Sequence, residues 1–207
     1  MAYRTFPLLH IQSTSVAQPL VGSWITAGIG APAGSPITLT LGTVCAGSGY
    51  NDSNLFAPGD QAFLIDPNGT NYEVVSVLSI GGIANTIIIG PQQGSPGGVP
   101  NPVTLNKHVS GAYGTGTFIG LALDINNAFV QPEDGNAGTF VYIGNAYNMT
   151  ATYHRVAKMP KVPSTQNPYY WNSSLTTGVN PVHTSELWIL GGSGNSSDGY
   201  NVAYAVV

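Results

Sequence analysis

Apolar residues in this chain come in short runs cut by glycine and proline. Ile37-Thr38-Leu39-Thr40-Leu41 alternates apolar and polar positions, the period of a half-buried strand. Gln61 to Ile65, Tyr72 to Leu78 and Thr86 to Ile89 are further strand-like runs rich in β-branched and aromatic residues. Asp66-Pro67-Asn68-Gly69 separates the first two and predicts a hairpin turn. Proline fixes φ there, and Asn-Gly tolerates positive φ. Pro58-Gly59-Asp60 and the Gly81-Gly82, Ala84-Asn85 pairs predict two more turns. A second group of strands is expected at Thr117 to Leu123, Ala128 to Val130, Thr139 to Ile143, Thr150 to Val156, Glu186 to Leu190 and Tyr200 to Val206.

These patterns predict an all-β chain of small barrel or sandwich units, with Gly/Pro-rich loops and an extended N-terminal arm. The arm is residues 1–35, where Pro19, Gly22, Gly28, Gly30, Pro32 and Gly34 leave no helical face intact. Residues 36–112 read as a barrel-like domain and 113–207 as a second β-sandwich or barrel unit. Residues 46–54, 91–102 and 160–181 read as loops. Extended arms can add a strand to a neighbour's sheet edge, which makes Phe6, Leu9, Leu20 and Trp24 candidate interface residues.

Composition narrows the function classes. Charged residues are only 7% of the chain, against about 25% in an ordinary soluble domain. Apolar content of 43% and a net charge of -4 argue against disorder. No apolar run approaches the roughly 20 residues of a membrane helix, and the N-terminus does not read as a signal peptide. The basic residues concentrate only in Arg155, Lys158 and Lys161, too few for a nucleic-acid surface. Cys45 is the single cysteine, so an intrachain disulfide is excluded and folding in a reducing cytoplasm is expected. The remaining reading is a neutral surface packed against copies of itself or a partner.

Catalytic, cofactor and metal sites are all expected to be absent. His10, His108, His154 and His183 stand apart, without zinc-ligand spacing. Glu133-Asp134 is the one adjacent carboxylate pair, and it reads as a solvated turn. Gly191-Gly192-Ser193-Gly194-Asn195 lacks the last glycine of a nucleophile elbow. Gly114-x-Gly116 has neither the spacing nor the lysine of a phosphate loop. The N-x-S/T triplets at Asn51, Asn68, Asn148, Asn172 and Asn195 read as accidental. Tyr169-Tyr170-Trp171, inside a Pro/Asn/Ser loop, suits an interface anchor, core packing or stacking on a sugar ring.

Several segments together resemble accessory structural proteins of tailed bacteriophages. They are VAQPL, PITLT, APGDQAFLIDPNG, YEVVSVLSI, NTIII, KHVSGAYGTGTFI and the later TFVYIGNAYNMTAT. The resemblance implies a virion component made in the host cytoplasm and placed on the outer capsid surface, where it decorates and stabilises the head. It implies the major capsid protein or other virion proteins as partners, a homo-oligomer with a trimer favoured, and no enzymatic activity. Two alternatives stay open: a tail-tube, neck or fibre-associated protein, and a carbohydrate-binding module or adhesin that takes a glycan.

Overall fold

The structure is a computed structural model. It describes residues 9–12, 17–29, 36–43, 51–69, 71–81, 85–91, 113–132, 140–145, 147–148, 153, 155–160, 169–172, 182–191 and 199–206. The chain is all-β. Its described helical elements are two 3-10 turns, Asp52–Leu55 and Thr184–Glu186. It divides into two compact units, each traced by more than one segment. One comprises Gly22–Thr43 and Asn51–Ala122; the other comprises Met1–Val21, Val44–Tyr50 and Leu123–Val207.

The fifteen described strands are β1 (Leu9–Gln12), β2 (Gln18–Pro19), β3 (Gly22–Trp24), β4 (Ile37–Thr40), β5 (Gln61–Ile65), β6 (Tyr72–Gly81), β7 (Thr86–Pro91), β8 (Phe118–Leu121), β9 (Asp124–Pro132), β10 (Phe140–Gly144), β11 (Arg155–Pro160), β12 (Tyr169–Asn172), β13 (Val182–His183), β14 (Trp188–Gly191) and β15 (Gly199–Val206).

The first unit is one six-stranded antiparallel sheet in the order β3-β8-β5-β6-β7-β4. The hairpin β5–β6 forms at the expected turn. The Gly69 N–H donates to the Asp66 carbonyl at 2.9 Å, and the Asp66 N–H donates to the Asn71 carbonyl at 3.1 Å. Gly69 has φ of 68°, which glycine adopts without steric cost. On β4, Ile37 and Leu39 are buried while Thr38 and Thr40 are exposed, as the alternation predicts. Their partners Ile89 and Ile87 are fully buried on β7. Ala62, Leu64, Val75, Val77, Ile119 and Leu121 are among the other buried residues of this unit.

The sheet curls until its two edges meet. Ile25, just after β3, bridges Leu41, just after β4. The Thr26 N–H donates to the Thr40 carbonyl at 2.9 Å, and the Gly42 N–H donates to the Trp24 carbonyl at 2.8 Å. Gly42 is required at this seam, because a Cβ there would overlap the Trp24 indole. Asn85 clamps the seam from the β6–β7 turn. Its backbone carbonyl accepts from the Leu41 N–H at 3.0 Å. Its side-chain Nδ2 donates to the Leu41 and Gly42 carbonyls at 3.3 and 2.5 Å, and its Oδ1 accepts from the Ser53 N–H at 2.9 Å. Asn85 sits at φ of 47°, a left-handed conformation that asparagine tolerates better than most residues.

The second unit contains two antiparallel sheets. One runs β1-β15-β9-β12, with β13 also pairing β9. The other runs β11-β10-β14-β2. Ile125, Val130, Val141, Ile143, Met159, Trp188, Ile189 and Tyr200 are buried here. A side-chain bond ties the two sheets. Gln18 Nε2 on β2 donates to the Tyr200 hydroxyl on β15 at 3.2 Å, and that hydroxyl donates to the Leu20 carbonyl at 3.3 Å.

Three expectations need revision. The described part of the arm is extended but belongs to both units: residues 17–21 join the second and 22–29 the first. Ala17 to Ser23 and Ile25 are buried, because short apolar pieces there pair their backbone within the chain. Tyr169–Asn172 is a strand rather than part of a loop, since its aromatic residues suit a sheet. Of the strand expected at 150–156, Tyr153 is a bend, Arg155 and Val156 open β11, Arg155–Pro160, whose register is fixed by pairing with β10, and the other positions lie outside the described residues.

Replacing Asn85 by alanine removes three side-chain hydrogen bonds and strains the left-handed backbone. Asn85→Ala is expected to cost about 2 to 4 kcal/mol. Asn85→Gly keeps the conformation and is expected to cost less. The midpoints of urea unfolding measure both.

Candidate assembly surface

The carboxylates of the barrel unit are turned inward. Asp52, Asp60 and Asp66 are 1%, 7% and 5% exposed, and Glu73 is half-buried. Each closes local structure. The Ser23 hydroxyl donates to Asp52, joining the 3-10 turn Asp52–Leu55 to β3. Asp60 accepts from the Ala57 N–H at 2.7 Å, capping the turn that leads into β5. Asp66 accepts from the backbone N–H and the side-chain Nδ2 of Asn71, each at 3.1 Å. Glu73 accepts from the Tyr113 hydroxyl at 3.3 Å.

With these groups withdrawn, no charged side chain stands among the exposed positions described in this unit. Those positions are threonine, asparagine, proline, glycine and alanine, with Tyr72 and Leu78 as the large apolar exceptions at 39% and 36% exposure. Such a face presents hydroxyls, amides and methyl groups. Two copies can approach it without like-charge repulsion or the loss of a hydrated ion.

The second unit offers sheet edges. A free edge presents unpaired N–H and C=O groups that another strand can complete. Among the described residues, β11 and β2 end one sheet, while β1 and β12 are end strands of the other. The sequences of these strands differ in a way that matters. β11 carries Arg155, Lys158 and Pro160, and β2 is two residues long and ends on Pro19. Charge, proline and shortness are the usual guards against strand addition. β1 reads LHIQ and β12 reads YYWN, with no guard of this kind.

The candidate interface residues separate on this geometry. Leu9 lies on β1, and Tyr169, Tyr170 and Trp171 lie on β12, so two unguarded strands of one sheet carry four of them. The backbone of β12 pairs with β9 in the register Tyr169↔Val130, Tyr170↔Phe129 and Trp171↔Ala128. Leu20, by contrast, is 2% exposed and belongs to this chain's own core rather than to an interface, with its N–H donating to the Leu187 carbonyl at 2.9 Å. Trp24 is half-buried at the barrel seam beside Gly42. Phe6 lies outside the described residues, as do Cys45, His108, His154, Glu133 and Asp134. Most of 91–102 and 160–181 also lies outside. Sequence reading missed the neutral barrel face, because composition counts charges without saying which of them turn inward.

Two polar pairs invite a chemical reading. Ser23 and Asp52 are 0% and 1% exposed, so their hydrogen bond is a tie within the barrel and is closed to substrate. Tyr113 is fully buried, and its phenol is pushed well above its ordinary value of 10.0. Burial is the largest cause, followed by the negative charge of Glu73, its hydrogen bond to that carboxylate, and the charge of Asp66. Tyr113 is therefore held as a neutral donor. Among the described residues, no group of three His, Cys, Asp or Glu side chains could hold a metal ion. No helix there is long and apolar enough to cross a membrane. No protein-family model, curated protein or solved structure matches this chain.

The Tyr113 environment predicts a pH dependence. Unfolded, the phenol ionises near its ordinary value of 10.0; folded, it ionises higher. Its contribution to stability is thus intact below about pH 10 and falls as pH rises from there towards the folded pKa. Tyr113→Phe is expected to be less stable at neutral pH by about 1 kcal/mol through the lost hydrogen bond. It is also expected to lose stability less steeply in alkali. Denaturant titrations of both proteins across the alkaline range measure the difference.

Proposed function

We propose that the chain is a non-enzymatic structural subunit of a tailed-bacteriophage virion that decorates and stabilises the capsid. The observation that carries this reading is a described surface with little charge. The barrel unit's described exposed positions are uncharged, and two strands of the second unit lack the guards that keep copies apart. The sequence resemblance to accessory virion proteins supplies the setting, with the major capsid protein and other copies of this chain as partners.

The association mechanism follows from the chemistry of these surfaces. An added strand completes backbone hydrogen bonds, each contributing about 1 kcal/mol net. Apolar area buried beside it contributes about 25 cal/mol per Å². Repetition over many lattice positions turns weak single contacts into firm attachment. Because β1 and β12 are different strands, pairing one copy's β1 with the next copy's β12 is a heterologous contact. Three copies joined this way close a ring if the rotation per copy allows it, which gives a trimer. A tail or neck position uses the same contacts with another symmetry.

A second reading, a carbohydrate-binding module or adhesin, draws on Tyr153, which is 71% exposed in the second unit. An exposed ring face can stack on a sugar. Binding on a glycan array that disappears with Tyr153→Ala or Trp171→Ala supports that reading over capsid decoration.

The purified chain is expected to run as a trimer by light scattering, with little change when salt is raised, since few charges meet. Leu9→Lys or Trp171→Lys places a charge on an unguarded strand and is expected to shift the trimer to monomer with an unchanged circular dichroism spectrum. A particle map is expected to show the chain on the outer capsid surface. A wild-type chain that stays monomeric and is missing from purified particles sinks the proposal.

A further inference from the structure

We propose that Asn68 is a site of spontaneous deamidation, at which this neutral surface acquires a charge with time. Asn68-Gly69 is the sole Asn-Gly step in the chain. It sits at the tip of the β5–β6 hairpin, with Asn68 exposed and Gly69 half-buried. Gly69 has no Cβ to crowd the approach of its nitrogen to the neighbouring side chain. Loop tips are also where local opening costs least.

The chemistry is an intramolecular acyl transfer. The Gly69 backbone nitrogen attacks the Asn68 side-chain carbonyl carbon, and a new C–N bond closes a five-membered succinimide. The bond from that carbon to Nδ2 breaks, and ammonia leaves with the proton from the Gly69 nitrogen. Water then opens the ring at either carbonyl. One product has aspartate at position 68; the other has isoaspartate, whose backbone runs through the side-chain carbon. No oxidant or metal takes part.

The fold sets the rate. The attacking nitrogen is engaged in the native turn, its N–H donating to the Asp66 carbonyl at 2.9 Å. Asp66 also holds Asn71 through two hydrogen bonds of 3.1 Å, which steadies the turn. Attack requires the first of these bonds to open, so the folded hairpin slows the reaction without preventing it. The product is consequential here in a way it is not on an ordinary surface. It adds a negative charge to a net of -4, at an exposed position of a unit whose described exposed residues carry none. This inference concerns the chain alone and stands or falls apart from the virion reading.

The test is incubation of the full folded chain near pH 8 and near pH 6, followed by peptide mapping with mass spectrometry and isoaspartate detection. The expected result is a gain of about one dalton at Asn68 before any other asparagine, with both products present and a faster rate at the higher pH. Urea is expected to accelerate it, because the turn is released. Gly69→Ala is expected to slow the reaction in urea by about an order of magnitude, through crowding by the new Cβ. Measuring that variant unfolded removes any effect of the strained turn. No conversion at Asn68 in the folded chain while other asparagines convert overturns the proposal, as does a rate in urea that Gly69→Ala leaves unchanged.

Discussion

The seam at Ile25 and Leu41 is the constraint on which the barrel unit depends. A six-stranded sheet that stayed open would expose backbone groups along β3 and β4. Bridging the two ends lets β3, β4 and the strands between them enclose one core of Ile37, Leu39, Leu64, Val75, Ile87 and Ile119. The seam is short, so it relies on close fits: a glycine at 42 under the Trp24 ring, and Asn85 reaching across from a separate turn. The same asparagine accepts from Ser53, which fixes the 3-10 turn that brings Asp52 to Ser23. Closure, turn and buried carboxylate are thus coupled through one side chain.

Closure also explains how so few charges suffice. Of the barrel's described ionisable groups, three aspartates are buried and each is hydrogen-bonded to a turn or a strand. They act as structural acceptors, so the described exposed positions of this unit carry hydroxyls, amides and apolar groups, Tyr72 and Leu78 among them. The second unit handles its edges differently. β11 is guarded by lysine, arginine and proline, and β2 by its length and proline, whereas β1 and β12 have no such guard. Among the described residues, the barrel unit is closed at its seam, while β1 and β12 of the second unit are end strands without charge or proline.

Much of this was legible in particular residues. Gln61 to Ile65 is a strand with the expected bounds, and Asp66 to Gly69 turns where proline and glycine dictate. Ile37 to Thr40 shows the expected alternation of burial. Other features were hidden because their cause is distant in sequence. Leu20 and Trp24 look like arm residues, since their backbone partners, Leu187 and Phe118, lie far along the chain. Asp52 to Leu55 looks like open loop because its partners Ser23 and Asn85 are remote. Tyr169 to Trp171 was legible as an aromatic cluster, but its place beside β9 was not.

By itself, the sequence determined the class of structure: Gly/Pro punctuation and β-branched runs allow strands and short turns, and 14 charged residues cannot make an ordinary charged surface. These are local and compositional facts, set by dihedral preference and side-chain chemistry. Only the tertiary structure decided which carboxylates turn inward, which strands meet at the seam and which edges stand unguarded. Those outcomes depend on pairing between distant segments, where register and closure follow from the packing of the whole sheet rather than from any one stretch of it.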